Sequence, residues 1–190
     1  VTMSSTGVTA DLANNIVSLP EMNGRPASNT YTHAYIIITN TFGLRGSVSI
    51  QNESGDEVKY CSGTNGDSTS GTTAASGFCT AQDHTETLDD FGDGSFSAYF
   101  APATMDGGGK VSALLTAADA NLTTATNTGE VKRLIGVFET NSGTPVVIND
   151  STNGLEMQLT VTDIGYGIQF VNGEPYNFGS MPFKPVFSTF

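Results

Sequence analysis

The sequence predicts an all-β fold: a single-domain β-sandwich, jelly-roll or immunoglobulin-like, of about nine or ten short strands with one short N-terminal helix. Three observations carry this. Charged residues are only 14% of the 190, well below the roughly 25% of an ordinary soluble protein. Ser, Thr, Asn and Gly supply the polarity instead, and these favour turns and strands over helices. The segment Leu155–Thr162 alternates apolar and polar residues without a break, which places one face in a core and the other in water. Short apolar runs recur along the chain, separated by Gly, Pro and Asn, the pattern of a sandwich rather than of a helical bundle.

Taken in order, Val1–Thr9 is extended in character. Ala10–Leu19 predicts the helix: Leu12, Ile16 and Leu19 fall at helical spacing, Thr9 can cap the start and Pro20 stops it. Glu21–Thr32 is a loop. Ala34–Thr39 (AYIIIT) is the most apolar and most β-branched run. Apolar on both faces, it must be covered on both, so it predicts a central core strand. Gly46–Gln51 predicts a strand with one wet face, and Glu57–Cys61 a third strand ending on a cysteine. Gln82–Asp93 is acidic and irregular. Ser95–Ala101 reads as a strand broken by Ala101-Pro102 and the Asp106–Gly109 turn. Lys110–Thr116 satisfies both periodicities and is read as a strand, because the segment Asn121–Gly129 beyond it is turn-like. Glu130–Glu139, Pro145–Asn149, Leu155–Thr162 and Tyr166–Val171 complete the set, with Asn172-Gly173 predicting a turn. No internal repeat and no linker divides residues 1–190.

The charge balance bounds the partners. Nineteen acidic residues against seven basic give a net charge of −12. Nucleic-acid binding needs Lys and Arg against phosphates, and an anionic membrane surface needs the same, so neither is expected. No apolar run approaches the ~18 residues of a membrane-spanning helix. The chain starts at Val1, and the expectation is a secreted or cell-surface protein from which a leader has been removed. Cys61 and Cys79 flank a stretch made almost entirely of Gly, Ser, Thr, Asn and Ala. Tying its ends by a disulfide stabilises by about 3 kcal/mol in the chain-entropy model, and that pairing implies an oxidising compartment.

The sequence offers little for catalysis, and the chain is read as a non-enzyme. His33 and His84 are the only histidines, read as exposed loop residues. They lack the helical-turn spacing of a zinc hydrolase, and no Gly-x-Ser-x-Gly elbow occurs. Gly107-Gly108-Gly109-Lys110 is followed by Val111 and so fails the phosphate-loop pattern; it is a turn. The acidic cluster Asp89, Asp90 and Asp93 would suit a calcium loop, although Phe91 and Phe100 stand at the third and twelfth positions of the EF-hand template. A solvated Asp-Gly turn is the simpler reading, and no cofactor other than calcium is suggested. Three Asn-x-Ser/Thr triplets start at Asn52, Asn121 and Asn149, each in a predicted loop.

Tyr176–Phe190 (YNFGSMPFKPVFSTF) carries four phenylalanines. Burying each ring is worth ~1.5–3 kcal/mol, so the tail needs a groove. It either closes the chain's own sandwich or adds to a neighbouring subunit, as the extended Val1–Thr9 arm also could. The interface residues expected on that basis are Met181, Phe183, Phe187, Phe190, Val1 and Met3. Overall the composition is similar in character to bacterial surface-appendage subunits and virion shell proteins. The expected function is therefore a structural subunit of an extracellular homopolymer, a pilus-like filament or surface layer joined by strand addition. A secreted adhesive module binding surface glycans with calcium is the alternative, weakened by the absence of Trp. A virion shell protein is the third reading.

Overall fold

A computed structural model describes residues 26–51, 55, 57–63, 68–72, 79–105, 108–118, 121–160, 166–171, 174–180 and 184–190. The expected helix at Ala10–Leu19 and the arm Val1–Thr9 lie outside them. The described chain is all-β, as the sandwich class requires, with two single-turn 3-10 segments at Thr128–Glu130 and Thr140–Gly143. It contains fifteen strands rather than nine or ten, because several predicted loops hold strands of only three to seven residues.

The residues group into two compact units. One takes the described parts of Val1–Ile38, Asp90–Val161 and Phe183–Phe190, the other those of Thr39–Asp89 and Thr162–Pro182.

The first unit holds a four-stranded sheet in the order β2-β10-β9-β8: β2 is His33–Thr39, β8 Tyr99–Thr104, β9 Lys110–Thr116 and β10 Arg133–Glu139. Ile36, Ile37 and Ile38 are each half-buried, whereas Tyr35 is 55% exposed. The AYIIIT run is thus partly covered on both faces, as its composition demands, but it stands at the end of the described sheet and not at its centre. The central places go to β9 and β10, where Val111, Leu115, Gly136 and Phe138 are buried. The ambiguous Lys110–Thr116 is a strand, paired antiparallel with β10 from Arg133↔Thr116 to Phe138↔Val111. Strand β8 begins four residues later than predicted, and its register on β9 breaks between Phe100 and Ala103, at Ala101-Pro102. The bulge there takes up the proline, which has no N–H for the ladder. Between β8 and β9 the Gly-rich turn closes through Gly108 N–H to the Met105 carbonyl and Met105 N–H to the Gly109 carbonyl, both 3.0 Å.

Two further pairs complete this unit. Strand β1 (Asn29–Tyr31) pairs with β11 (Val146–Ile148), and β12 (Leu155–Thr160) with β15 (Lys184–Thr189). Val146 and Ile148 of β11 and Phe187 of β15 form one buried cluster, with Tyr31, Ala34 and Met157 packed around it. At Thr140 the chain is fastened to the start of β2: its N–H donates to the Thr32 carbonyl at 3.0 Å, and its hydroxyl lies 3.1 Å from the Tyr31 carbonyl.

In the second unit β3 (Thr41–Leu44) pairs with β7 (His84–Thr87). Strands β4 (Ser47–Gln51), β5 (Glu57–Ser62) and β6 (Ser68–Thr72) form a meander. Strand β13 (Tyr166–Val171) pairs with β14 (Glu174–Ser180), Val171 standing opposite Glu174 as a two-residue Asn-Gly connection requires. The Cys61–Cys79 disulfide is formed, with Cα atoms 6.0 Å apart, and Cys61 is fully buried. Ser62, also fully buried, ties this region together: its hydroxyl donates to the Gln82 carbonyl (2.6 Å) and accepts the Gly46 N–H (3.1 Å).

Candidate functional site

The C-terminal strand is the part of the expected interface that can be built atom by atom. In β15 the side chains at Pro185 and Phe187 are buried while Val186 and Ser188 face out, the alternation of a strand with one covered face. Phe187 therefore fills a groove of its own chain, and Phe190 is 70% exposed. Met181, Phe183, Val1 and Met3 lie outside the described residues. Gly154 and Phe190 exchange both main-chain hydrogen bonds (3.0 and 3.2 Å). Counting from that bonded pair, the N–H and C=O groups of Phe187 and Thr189 and the C=O of Pro185 point away from β12. Pro185 has no N–H to offer there.

At Phe187 the outward groups are met by Asn141. The Asn141 amide donates to the Phe187 carbonyl (2.9 Å) and accepts the Phe187 N–H (2.7 Å), standing in for one residue of a missing strand. Asn141 sits at φ 44°, in the left-handed region that Asn tolerates better than most residues. The outer edge of β15 is thus closed at Pro185 and Phe187 by two of the devices that keep sheet edges from pairing. Nothing in Thr-Asn-Ser-Gly singled out Asn141 beforehand, since the pair bridges 46 positions.

The acidic cluster is an internally bonded turn. Asp90 Oδ1 accepts the N–H groups of Gly92 (2.7 Å) and Ser97 (2.8 Å), and the Phe91 N–H donates to the Ser97 carbonyl (2.9 Å). The Ser97 N–H first, then that of Gly92, hold the Asp90 carboxyl below its ordinary value. Gly92 is required there: a Cβ would lie 1.7 Å from the Ser95 carbonyl oxygen. The Phe91 and Phe100 rings, 5.5 Å apart, anchor the turn to β8. Among the described residues no group of three or more His, Cys, Asp or Glu side chains is placed to hold a metal, so Asp89, Asp90 and Asp93 are not gathered into one. Glu130 plays a similar part around Thr128–Glu130, its carboxyl lowered first by the Thr126 N–H and then by the Thr126 hydroxyl.

The histidines separate. His84 lies in β7, opposite Leu44, and is buried rather than exposed, with no hydrogen-bond partner on either ring nitrogen among the described residues. The acidic stretch looked irregular because its charges hide a four-residue strand. His33 is exposed and shares a 2.9 Å hydrogen bond with Thr32 Oγ1. It borders a shallow hollow of about 310 Å³ with Pro102, Lys110, Ser112 and Glu139. Glu139 there accepts the Lys110 main-chain N–H at 3.0 Å.

Compared with known proteins, the chain matches no family model, no curated sequence and no solved structure. Among the described residues no helix is long and apolar enough to cross a membrane. The disulfide points to an environment outside the cytoplasm.

Proposed function

We propose that this chain is a structural subunit of an extracellular assembly, a pilus-like filament or surface layer, joined to identical subunits by strand addition. The observation that carries this reading is the contrast between sheet edges. The edge of β15 is closed by Pro185 and Asn141, and β8 carries Pro102 and a bulge. Strand β2, which among the described residues ends the same sheet opposite β8, has no proline, glycine or formal charge, and it is the most β-branched run of the chain. An edge of that kind pairs readily with an extended peptide. The uncharged arm Val1–Thr9 of a neighbouring copy suits it, because a chain of net charge −12 repels its own copies except through neutral segments.

Removing Tyr176–Phe190 would strip β14 and β15 from their partners and is not a clean test. The informative variants are a chain lacking residues 1–9 and Tyr35→Lys, which sets a cation on the exposed flank of β2. Sedimentation velocity and negative-stain microscopy of the oxidised protein are expected to show polymers for the parent and monomers for both variants. A parent that stays monomeric, or variants that polymerise like it, would overturn the reading.

A further inference from the structure

Asn153 is the one asparagine among the described residues that is followed by glycine. It is exposed, in the short segment that leads into β12. An Asn-Gly pair is the sequence most prone to spontaneous loss of the side-chain amide, because glycine has no Cβ to hinder attack by its own main-chain nitrogen. That nitrogen is not free here. Gly154 N–H donates to the Phe190 carbonyl at 3.0 Å, Asn153 N–H donates to the same oxygen at 2.6 Å, and Phe190 N–H returns a bond to the Gly154 carbonyl at 3.2 Å. The Phe190 ring also covers Gly154 closely, since a Cβ built there would fall 2.3 Å from the ring tip.

We infer that Asn153 is a deamidation site guarded by the main chain of Phe190, so that opening of the end of β15 exposes it to conversion. In the reaction Gly154 N attacks Asn153 Cγ, and the C–Nδ2 bond breaks. The nitrogen's proton leaves with Nδ2 as ammonia, and a five-membered imide remains. Water then adds to one of the two imide carbonyls, giving aspartate or the β-linked isoaspartate; no oxidant or other co-reactant enters. While Gly154 N–H is held by Phe190, the nitrogen is harder to deprotonate. The β-linked product adds a methylene to the main chain beside Gly154. It thereby shifts Gly154 N–H off the Phe190 carbonyl and leaves the end of β15 unfastened. The step is a one-way mark of strands that have opened, independent of any assembly.

The test is ageing of the whole oxidised protein at mildly alkaline pH, with peptide mapping by mass spectrometry at residues 149–158. The native protein is expected to convert Asn153 at least about fivefold more slowly than the same protein in denaturant, the factor that one net hydrogen bond represents. Deleting Phe190 is expected to recover about that factor, whereas Phe190→Leu, which keeps the main-chain bonds, should stay near the native rate. Equal rates in native and denatured protein would overturn the inference. So would a deletion variant no faster than the parent, or acceleration by Phe190→Leu equal to that of the deletion.

Discussion

Replacing Asn141 tests whether one side chain closes the outer edge of β15. Asn141→Gly removes both amide bonds to Phe187 while relieving the positive φ of 44°. Each such bond contributes about 0.5–1.5 kcal/mol net, so the expected loss is about 1–3 kcal/mol. Asn141→Ala loses the same bonds and adds a Cβ in the left-handed region, for roughly 1 kcal/mol more. Asn141→Asp keeps an acceptor for the Phe187 N–H but turns a second carboxylate oxygen toward the Phe187 carbonyl, where a donor stood. It should therefore be least stable at neutral pH and improve as that carboxylate is protonated. Urea unfolding of the oxidised protein measures the order, and hydrogen exchange at the Phe187 amide localises it. For a chain of this length the Gly variant's loss corresponds to a melting shift of about 2–4 °C per kcal/mol. A Gly variant within ~0.5 kcal/mol of the parent, or one less stable than Ala, would refute the strand-mimic account.

Three other outcomes follow from the packing and the charges. Phe187→Ala should lose about 3–5 kcal/mol by thermal or urea denaturation, the usual range for a buried ring, whereas Phe190→Ala, 70% exposed, should stay within about 1 kcal/mol. Gly92→Ala forces the Asp90–Ser97 turn apart, and circular dichroism melts should show it well below Gly94→Ala, which has open space and only its φ of 85° to oppose it; the latter costs about 1–2 kcal/mol. Asp90 and Glu130 both have lowered carboxyl pKa values in the fold, so their stabilisation is present above the unfolded-state values and is lost as pH falls through the folded ones. The stability curve should drop below about pH 4, and Asp90→Asn with Glu130→Gln should flatten that drop.

The sequence revealed what depends on neighbours in the chain. Alternation in Leu155–Thr160 and the apolar runs at Lys110–Thr116 and Arg133–Glu139 emerged as strands, because side-chain period is set residue by residue. The disulfide was legible because the loop between Cys61 and Cys79 has almost no apolar side chains to order it; that the loop also holds β6, paired with β5, was not. Sheet position was not: AYIIIT is apolar enough for a centre, yet β9 and β10 take it through pairings the composition does not encode. His84 hid in a strand whose neighbours are charged. Asn141 and Phe190 were invisible in their roles, since each acts on a partner 36 to 46 positions away. Of the expected interface, only Phe187 and Phe190 can be located, one inside the chain's own groove and the other at its surface.

The pairing of β12 with β15 has a consequence for how the chain comes to be. Between those strands the polypeptide leaves for Thr162–Pro182 of the other unit, then returns. A ribosome finishes β12 some two dozen residues before the strand it pairs with exists. Through that interval Met157 and Leu159 have no Phe187 or Pro185 opposite them. Joining distant strands last is slow and leaves apolar surface open to other chains. If this chain is exported unfolded, delayed closure becomes an advantage, because the β12–β15 ladder forms only when Lys184–Thr189 have crossed.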